Sequence, residues 1–254
     1  MGVGGFPNVD SSRNRALNAA GVVAALAAEA RALGPAARGG ARAVLANGTL
    51  VAVSGIGCSA AGRAARDLIE AGARALVSWG MAGALDPKLA AGTVCLPDEV
   101  IASDGRSFGT ARHWRDPLAA LVAAERPVAG GKLLTSVQAI DTVAAKDLAY
   151  RTTGAAAVDM ESAAVAQAAA AHGLPFIAVR VIVDTAGDAL PRAVVAASRA
   201  GQVRIWRLIF GLLISPADIA PLIRLARRYR VAIRSLEAAA GALAAPAVVA
   251  ASGA

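Results

Sequence analysis

The chain has 254 residues, a formal net charge of +8 and a composition that is 56% hydrophobic, much of it alanine. That length is enough for one large α/β domain with an appendage. The nine aromatic residues are too few for the stacking surface of a single-strand nucleic-acid binder, so we expect no nucleic-acid partner. Cys58 and Cys95 match no metal spacing and favour a reducing compartment.

Residues 1–18 are interpreted as a flexible lead to the first buried strand, over 21–26. Arg13 and Arg15 precede a weakly apolar run, a pattern that also fits a signal peptide. Alanine makes a poor apolar core for such a peptide, and the run over 21–26 is better explained as a strand. We therefore expect a cytoplasmic protein.

Apolar strands alternate with helical segments over residues 21–184. Asn47-Gly48 joins two short apolar runs and predicts a β-hairpin. The predicted strands cover 21–26, 41–46, 49–54, 75–78, 94–102 (broken at Pro97), 132–135, 155–158 and 176–184. The predicted helices cover 29–33, the segment from the SGIG turn to residue 71, 141–150 and 161–171. This alternation predicts a three-layer α/β/α fold around a mixed central sheet.

Four junctions after predicted strands carry glycines or charged residues. They are SGIG at 54–57, WGMAG at 79–83, VDMES at 158–162 and RVIVDTAGD at 180–188. WGMAG is predicted as a glycine turn, and the polar stretch over 104–116 as a loop. Because α/β sheets bind ligands at the carboxyl ends of their strands, the four junctions predict one shared site.

Two features of these junctions each allow two interpretations. Gly55 and Gly57 would let backbone N–H groups approach an anion at a helix start, but the dinucleotide fingerprint is incomplete because the next glycine is Gly62. A phosphate-binding turn and a plain tight turn both stay open. Arg180 lies inside an apolar strand, which is costly unless it meets a bound anion or forms a buried salt bridge with an acid of the core.

Together the junctions resemble the nucleoside phosphorylase and nucleosidase superfamily. The residues that carry the resemblance are AALAAEARAL, SGIG, GMAGAL, VDMESAAVA and VRVIVDTAGD, in family order. The loop ending in HWRD and the C-terminal helical segment are most similar to the hopanoid-associated phosphorylases. The resemblance implies a phosphorylase-type fold, a homo-oligomer and no cofactor, with inorganic phosphate as a candidate co-substrate.

The resemblance implies a catalytic pair, Asp184 and Glu29. Asp184 matches the carboxylate that protonates the leaving base near N7, and Glu29 matches the glutamate that activates water in the nucleosidase branch. From the residues alone, the alternatives are an N-cap of the following turn for Asp184 and an exposed helix glutamate for Glu29.

The resemblance also implies a set of substrate-binding residues and no metal ligand. Glu161 matches the acceptor of hydrogen bonds from the ribose hydroxyls, and Met160 the methionine that packs on the sugar. The alternative for Glu161 is a first-turn acid that favours the helix dipole, and Asp159 is given a structural role. The remaining predicted substrate-binding residues are Arg180, Gly57, Gly80 and Gly83.

Three positions depart from the family pattern. Hexameric phosphorylases usually carry an arginine where Ser78 stands and a serine where Met81 stands, both for phosphate. Val183 replaces a residue that is often polar in nucleosidases. These departures put phosphate capture in doubt and leave phosphorolysis and hydrolysis both open.

The segment between Arg199 and Arg234 holds eight arginines against the single acid Asp218, a local net charge of +7. Apolar residues at helical spacing predict two helices, with Pro216 at the start of the second. We interpret residues 19–200 as the phosphorylase-like domain, 201–240 as a basic helical appendage and 241–254 as a disordered tail. The appendage either packs on the sheet with a solvated basic face or rests on anionic lipid at the inner membrane face.

The predicted function is cleavage of the N-glycosidic bond of an adenine nucleoside. The similarity to the hopanoid branch implies adenosylhopane as the substrate, with release of adenine in hopanoid side-chain biosynthesis. One alternative is a methylthioadenosine/S-adenosylhomocysteine-type nucleosidase that takes a small-molecule substrate. Another is a non-catalytic nucleotide-binding or membrane-peripheral protein with the same fold.

Overall fold

The structure is a computed structural model that describes residues 20–38, 40–190, 216–245 and 248. The strands are β1 (Ala20–Ala24), β2 (Arg42–Val44), β3 (Leu50–Val53), β4 (Ala75–Ala84), β5 (Val94–Cys95), β6 (Glu99–Ile101), β7 (Ser107–Gly109), β8 (Val128–Ala129), β9 (Lys132–Thr135), β10 (Ala155–Asp159) and β11 (Phe176–Asp184). The helices are α1 (Ala27–Arg31), a 3-10 helix (Pro35–Arg38), α2 (Cys58–Glu70), α3 (Arg112–Ala123), α4 (Val143–Thr153), α5 (Ser162–Ala171) and α6 (Pro216–Leu243).

The described strands form one mixed sheet in the order β2-β3-β1-β4-β10-β9-β6-β7, with β11 also paired to β4 and followed outward by β5 and β8. β1 runs parallel to β3 and β4, and β11 runs parallel to β4. β2 and β3 form the antiparallel hairpin that Asn47-Gly48 predicts. The mixed central sheet is therefore confirmed.

Helices cover both faces of the sheet. On one face, α2 and α5 pack through small side chains such as Ala65 and Ala169, which let the helices lie close to the strands. On the other face, α1, α3 and α6 contribute Ala30, Leu118 and Leu236 to a second core. This arrangement confirms the predicted three layers and explains the high alanine content.

The central strand β4 extends through the residues that we predicted as a glycine turn, so that prediction is wrong. Trp79 pairs with Ala24 of β1, while Gly80 pairs with Arg180 of β11. Hydrogen bonds from two neighbouring strands outweigh the local preference of glycine for turns. As a result, Gly80 and Gly83 lie within a strand that runs into the predicted site.

The polar stretch over 104–116 is not a loop throughout, which corrects a second prediction. It contains β7 and the start of α3. Trp114, Leu118 and Val122 are buried and lie four residues apart, so they form one apolar stripe along α3. This helical spacing was available in the sequence, but the charged residues around Trp114 obscured it.

The helix α6 begins at Pro216, as predicted, and ends at Leu243. Residues 241–243 are therefore helical where we predicted a disordered tail. Ala232 and Leu236 of α6 are fully buried against the second core, so this helix belongs to a layer of the fold. The predicted lead over 1–18 and the first predicted C-terminal helix lie outside the described residues. No helix in the described part of the chain is both long and apolar enough to cross a membrane.

Candidate active site

Glu29 is buried at the carboxyl end of β1, where the chain turns into α1. Its two carboxylate oxygens accept hydrogen bonds from the backbone N–H groups of Met81, at 3.0 Å, and Leu26, at 2.9 Å. The indole N–H of Trp79 donates to the carbonyl of Glu29 at 3.0 Å. Burial raises the pKa of the carboxyl, and the charge of Arg180 opposes that rise. The alternative of an exposed helix glutamate is wrong.

Gly80 creates the space in which Glu29 and Arg180 come together. A Cβ at this position would stand 2.6 Å from Nη1 of Arg180 and 2.7 Å from Oε1 of Glu29. The φ of Gly80 is +154°, a conformation that other residues rarely adopt. Only glycine therefore leaves room for the acid and the guanidinium group at this point of the strand.

Arg180 is 1% exposed and forms a buried ion pair with Asp159, with Nη2 and Oδ2 2.7 Å apart. The same nitrogen donates to the hydroxyl of Ser78 at 2.6 Å and to that of Ser162 at 3.1 Å. Asp159 also accepts hydrogen bonds from the hydroxyl of Thr135, at 2.7 Å, and the N–H of Ser162, at 3.1 Å. The structure therefore agrees with the second of our two interpretations of Arg180, a buried salt bridge to an acid of the core.

Glu161 is buried between β10 and α5, and its carboxylate faces the SGIG turn. Oε1 accepts a hydrogen bond from the N–H of Gly57 at 2.8 Å, and Oε2 accepts one from the N–H of the half-buried Met160 at 3.3 Å. Oε2 lies 3.9 Å from Arg180. Burial raises the pKa of Glu161 to about 7; Arg180 opposes this rise, and the nearby charge of Asp159 adds to it.

Three amides of the SGIG turn donate hydrogen bonds within the protein. The N–H groups of Ser54 and Gly55 donate to the carbonyls of Ala24, at 2.8 Å, and Ala25, at 3.1 Å. Gly57 has a φ of +99° and immediately precedes α2, with its N–H directed to Glu161. These three amides therefore have protein acceptors.

Asp184 lies at the end of β11, beside Gly83 of β4. A Cβ on Gly83 would stand 3.0 Å from Oδ2 of Asp184, so the glycine allows close approach of the carboxylate. The ammonium group of Lys146 forms an ion pair with Asp184. Burial raises the pKa of the Asp184 carboxyl, and the charge of Lys146 opposes the rise.

Residues 19–209 match the Phosphorylase superfamily, about three quarters of the chain. The chain belongs to the phosphorylase superfamily. This match confirms the superfamily that we recognised from the junction motifs.

A curated relative is the futalosine hydrolase of Streptomyces coelicolor, 33% identical over 129 residues that cover 44% of this chain and 54% of the relative. The alignment thus spans about half the length of that protein. Among solved structures, a putative methylthioadenosine nucleosidase from Weissella paramesenteroides is 25% identical, with a TM-score of 0.59 and coverage of 74% of this chain and 97% of its own.

Two further structures come from Helicobacter pylori. Its 5′-methylthioadenosine/S-adenosylhomocysteine nucleosidase, solved with butyl-thio-DADMe-Immucillin-A, has a TM-score of 0.61 at 18% identity. Its futalosine hydrolase has a TM-score of 0.60 at 20% identity. Both alignments cover 77% of this chain and 99% of theirs. These likenesses confirm the fold, and together with the superfamily match they confirm the predicted enzyme class, a nucleosidase or phosphorylase.

Of the eight predicted site residues of this superfamily member, six lie at the carboxyl ends of β4 and β11 or in the segments that follow β1, β3 and β10. The other two, Gly80 and Arg180, pair with each other farther back in β4 and β11. The sequence reasoning missed Lys146, which is the one buried residue of α4. Its neighbours in AAKDLA give no signal, because a lysine in such a helix is ordinarily exposed. Within the described ranges, no three His, Cys, Asp or Glu side chains are grouped so that they could hold a metal ion.

Proposed function

We propose that this chain cleaves the N-glycosidic bond of an adenine nucleoside by hydrolysis. Glu29 activates the attacking water, Asp184 protonates the leaving base and Glu161 binds the ribose hydroxyls. One observation supports the choice of water over phosphate: carboxylates of the chain itself bind Arg180 and the N–H of Gly57, two groups that were candidates to bind phosphate. Phosphate is then not a co-substrate, and the reaction needs no cofactor.

Arg180 is the candidate cation of the site, and three carboxylates surround it. Asp159 pairs with its guanidinium group, Glu161 lies 3.9 Å from it, and the carboxylate of Glu29 lies near it beside Gly80. A phosphate dianion that approached this group would be repelled by several carboxylates in a poorly screened interior. A neutral water molecule meets no such barrier.

The SGIG turn also argues against phosphate binding. The N–H of Gly57, which immediately precedes α2, donates to Glu161. The chain also has Ser78 and Met81 where hexameric phosphorylases usually carry an arginine and a serine that bind phosphate. Both findings support hydrolysis.

The burial of the acids suits the roles that we assign to them. The raised pKa of Asp184 helps it to carry a proton near neutral pH, which it gives to a ring nitrogen of the leaving base. The raised pKa of Glu29 makes it a stronger base, which takes a proton from the water as its oxygen bonds to the anomeric carbon. Glu29 lies beside Gly80 and Asp184 beside Gly83, three residues apart on β4.

We propose adenosylhopane as the nucleoside, on the resemblance to the hopanoid-associated branch. Methylthioadenosine and S-adenosylhomocysteine are the alternatives that the likeness to nucleosidase structures favours, and futalosine is the one that the curated relative adds. A non-catalytic role on the same fold is a further alternative. We also propose that the chain acts as a homo-oligomer, a prediction that rests on the resemblance alone.

A basic face of α6 supports the proposal that the substrate is linked to a lipid. Its exposed residues are Arg224, Arg227, Arg230 and Arg234. They recur every three or four residues, opposite the buried Ala232, Leu236 and Ala239, so they share one side of the helix. Each cationic side chain near anionic lipid contributes about 1 kcal/mol to binding. We propose that this face rests on an anionic membrane, which would bring the site to a substrate held in the bilayer.

Product analysis tests the reaction. Adenosylhopane, methylthioadenosine, S-adenosylhomocysteine and futalosine are each incubated with the enzyme, with and without phosphate, and the free base and the sugar product are quantified. We expect the rate of base release to be the same with and without phosphate, and the sugar product to be free of phosphate. Phosphate-dependent release with a sugar phosphate would reject hydrolysis. Binding of a nucleoside without cleavage, unchanged in D184N, would favour the non-catalytic alternative.

Liposome flotation tests the membrane proposal separately. The wild type and a variant with all four α6 arginines changed to glutamine are mixed with vesicles of neutral lipid or with vesicles containing anionic lipid. We expect the wild type to float only with anionic vesicles, and the variant to stay in solution. Equal flotation of the two proteins would reject the arginine face as the contact.

A further inference from the structure

Lys146 is 0% exposed and lies against the end of β11 that carries Asp184. Its ammonium group has three contacts: the carboxylate of Asp184, the carbonyl of Thr185 at 2.9 Å and the carbonyl of Asp188 at 2.9 Å. An ammonium group has three N–H donors, so each donor has one acceptor. The segment from Asp184 to Asp188 therefore fixes the position of the ammonium group.

The placement of this lysine has no explanation in packing. Lys146 is the one buried residue of α4, whose other side chains are half-buried or exposed. Burying a lysine is costly, and a buried ion pair adds little stability compared with apolar residues of the same volume. The contact with Asp184 therefore points to a role in the reaction.

We propose that Lys146 is the positioning residue of the acid: it fixes the orientation of Asp184, and its positive charge stabilises the carboxylate that remains after Asp184 has given its proton to the base. The proposal rests on the proposed function of Asp184 as that acid. The proton moves from the carboxyl of Asp184 to a ring nitrogen of the leaving base, and the electron pair of the glycosidic bond goes to the base. Lys146 keeps all its protons throughout.

In the part of the chain that the structure describes, the charged groups that act on Asp184 are Lys146 on α4, Asp188 in the following loop and Arg228 on α6. Lys146 touches the carboxylate, while Arg228 is paired with Asp188, whose carboxylate also accepts hydrogen bonds from the N–H and hydroxyl of Thr185. Lys146 is the nearest cation to Asp184 and opposes the rise in pKa that burial causes. Without its charge, the pKa of Asp184 should rise further. Asp184 would then hold its proton to higher pH but release it to the base less readily.

The test compares the pH profiles of the wild type, K146M and K146R with whichever nucleoside is cleaved. In K146M we expect kcat to fall by about tenfold or more and the alkaline limb of kcat/KM to move up by about one pH unit. K146R keeps the charge, so its alkaline limb should stay where the wild-type limb is. A loss of activity in K146M without a shift of the limb would overturn the proposal, because it is the result of a merely structural role.

A double-mutant cycle adds a second readout. Because Lys146 acts through Asp184, K146M should cause no further loss in the D184N background, and additive losses would overturn the proposal. K146Q replaces K146M if the methionine variant does not fold, with the same expected shift. K88M, a change at an exposed lysine, is the matched control and should keep the wild-type profile.

Carbon-13 NMR of aspartate-labelled protein separates this proposal from the proposed function. The Asp184 signal is assigned by its absence in D184N, and its pKa is measured in the wild type and K146M without any turnover. A higher pKa in K146M supports the inference, and an unchanged pKa overturns it. If the wild type cleaves none of the nucleosides, the proposed function fails, while this measurement still decides whether Lys146 controls the charge of Asp184.

Discussion

The carboxylate of Glu29 and the guanidinium group of Arg180 both lie beside the α-carbon of Gly80, although the three residues come from α1, β11 and β4. Both side chains lie within 2.7 Å of the point where a Cβ on Gly80 would stand. Glu29, the proposed base, and Arg180, its neighbouring cation, can therefore hold these positions only because Gly80 has no side chain.

Gly80→Ala should displace both groups and strain the backbone. Because a shift of about 1 Å in a reacting group costs on the order of 100-fold, we expect kcat/KM to fall by about that factor. The measurement is steady-state release of the free base, with thermal unfolding to show that the protein is folded. Gly109→Ala, in a strand where nothing lies within 4 Å of the new Cβ, is the control and should behave as the wild type. Normal activity in Gly80→Ala would contradict the placement.

Glu29→Gln should remove the base but keep the shape of the side chain. The amide oxygen can still accept the N–H of Met81, while the hydrogen bond from the N–H of Leu26 is lost, so thermal unfolding should show a folded but somewhat less stable protein. Loss of general-base catalysis predicts a fall in kcat of roughly 100-fold or more, with a smaller change in KM. Rapid-quench measurement of base release checks this expectation. E125Q, at an exposed glutamate, is the matched control, and an equal loss in both variants would exclude a specific role for Glu29.

Glu161 should make the stability of the protein depend on pH. Its pKa is about 7 in the folded protein against an ordinary value of 4.5, so the folded state binds more protons between these values. The free energy of unfolding should therefore fall as the pH rises from about 4.5 to about 7, by on the order of 3 kcal/mol.

The difference between the wild type and E161Q isolates this contribution, because Glu29 and Asp184 titrate in both proteins. Urea unfolding is measured from pH 4 to pH 8. We expect E161Q to gain stability relative to the wild type across that window, and a constant difference would contradict the raised pKa. Nucleoside affinity of the wild type should also rise towards pH 8, because the ionised carboxylate is the better acceptor for ribose hydroxyls.

Leu236→Ala tests whether α6 belongs to the core. Leu236 is 0% exposed and packs against the second core, so its truncation should lower the free energy of unfolding by about 2–5 kcal/mol. Leu148→Ala is the matched control, because Leu148 is 63% exposed, and it should change stability by less than about 0.5 kcal/mol. Chemical denaturation measures both. Similar losses would mean that α6 is an appendage, as the sequence suggested.

Much of the fold could be predicted because local rules and tertiary structure agree there. The hairpin at Asn47-Gly48, the start of α6 at Pro216 and the alternation of strands with helices follow from turn chemistry, capping and periodicity. The turn predicted at 79–83 failed because the two neighbouring strands of β4 supply hydrogen bonds that no local pattern records. The helix α3 was missed because its apolar stripe is interrupted by charged residues.

By itself, the sequence determined which acids stand at or just after strand ends. Glu161 and Asp184 follow from the junction motifs and Glu29 from the family resemblance, while Arg180 was placed inside its strand. Only the tertiary structure decided how their charges combine. Arg180 is paired with Asp159, and Lys146 lies 38 residues before the Asp184 that it contacts. Electrostatic interactions depend on distance in space and on burial, and neither can be read from spacing along the chain.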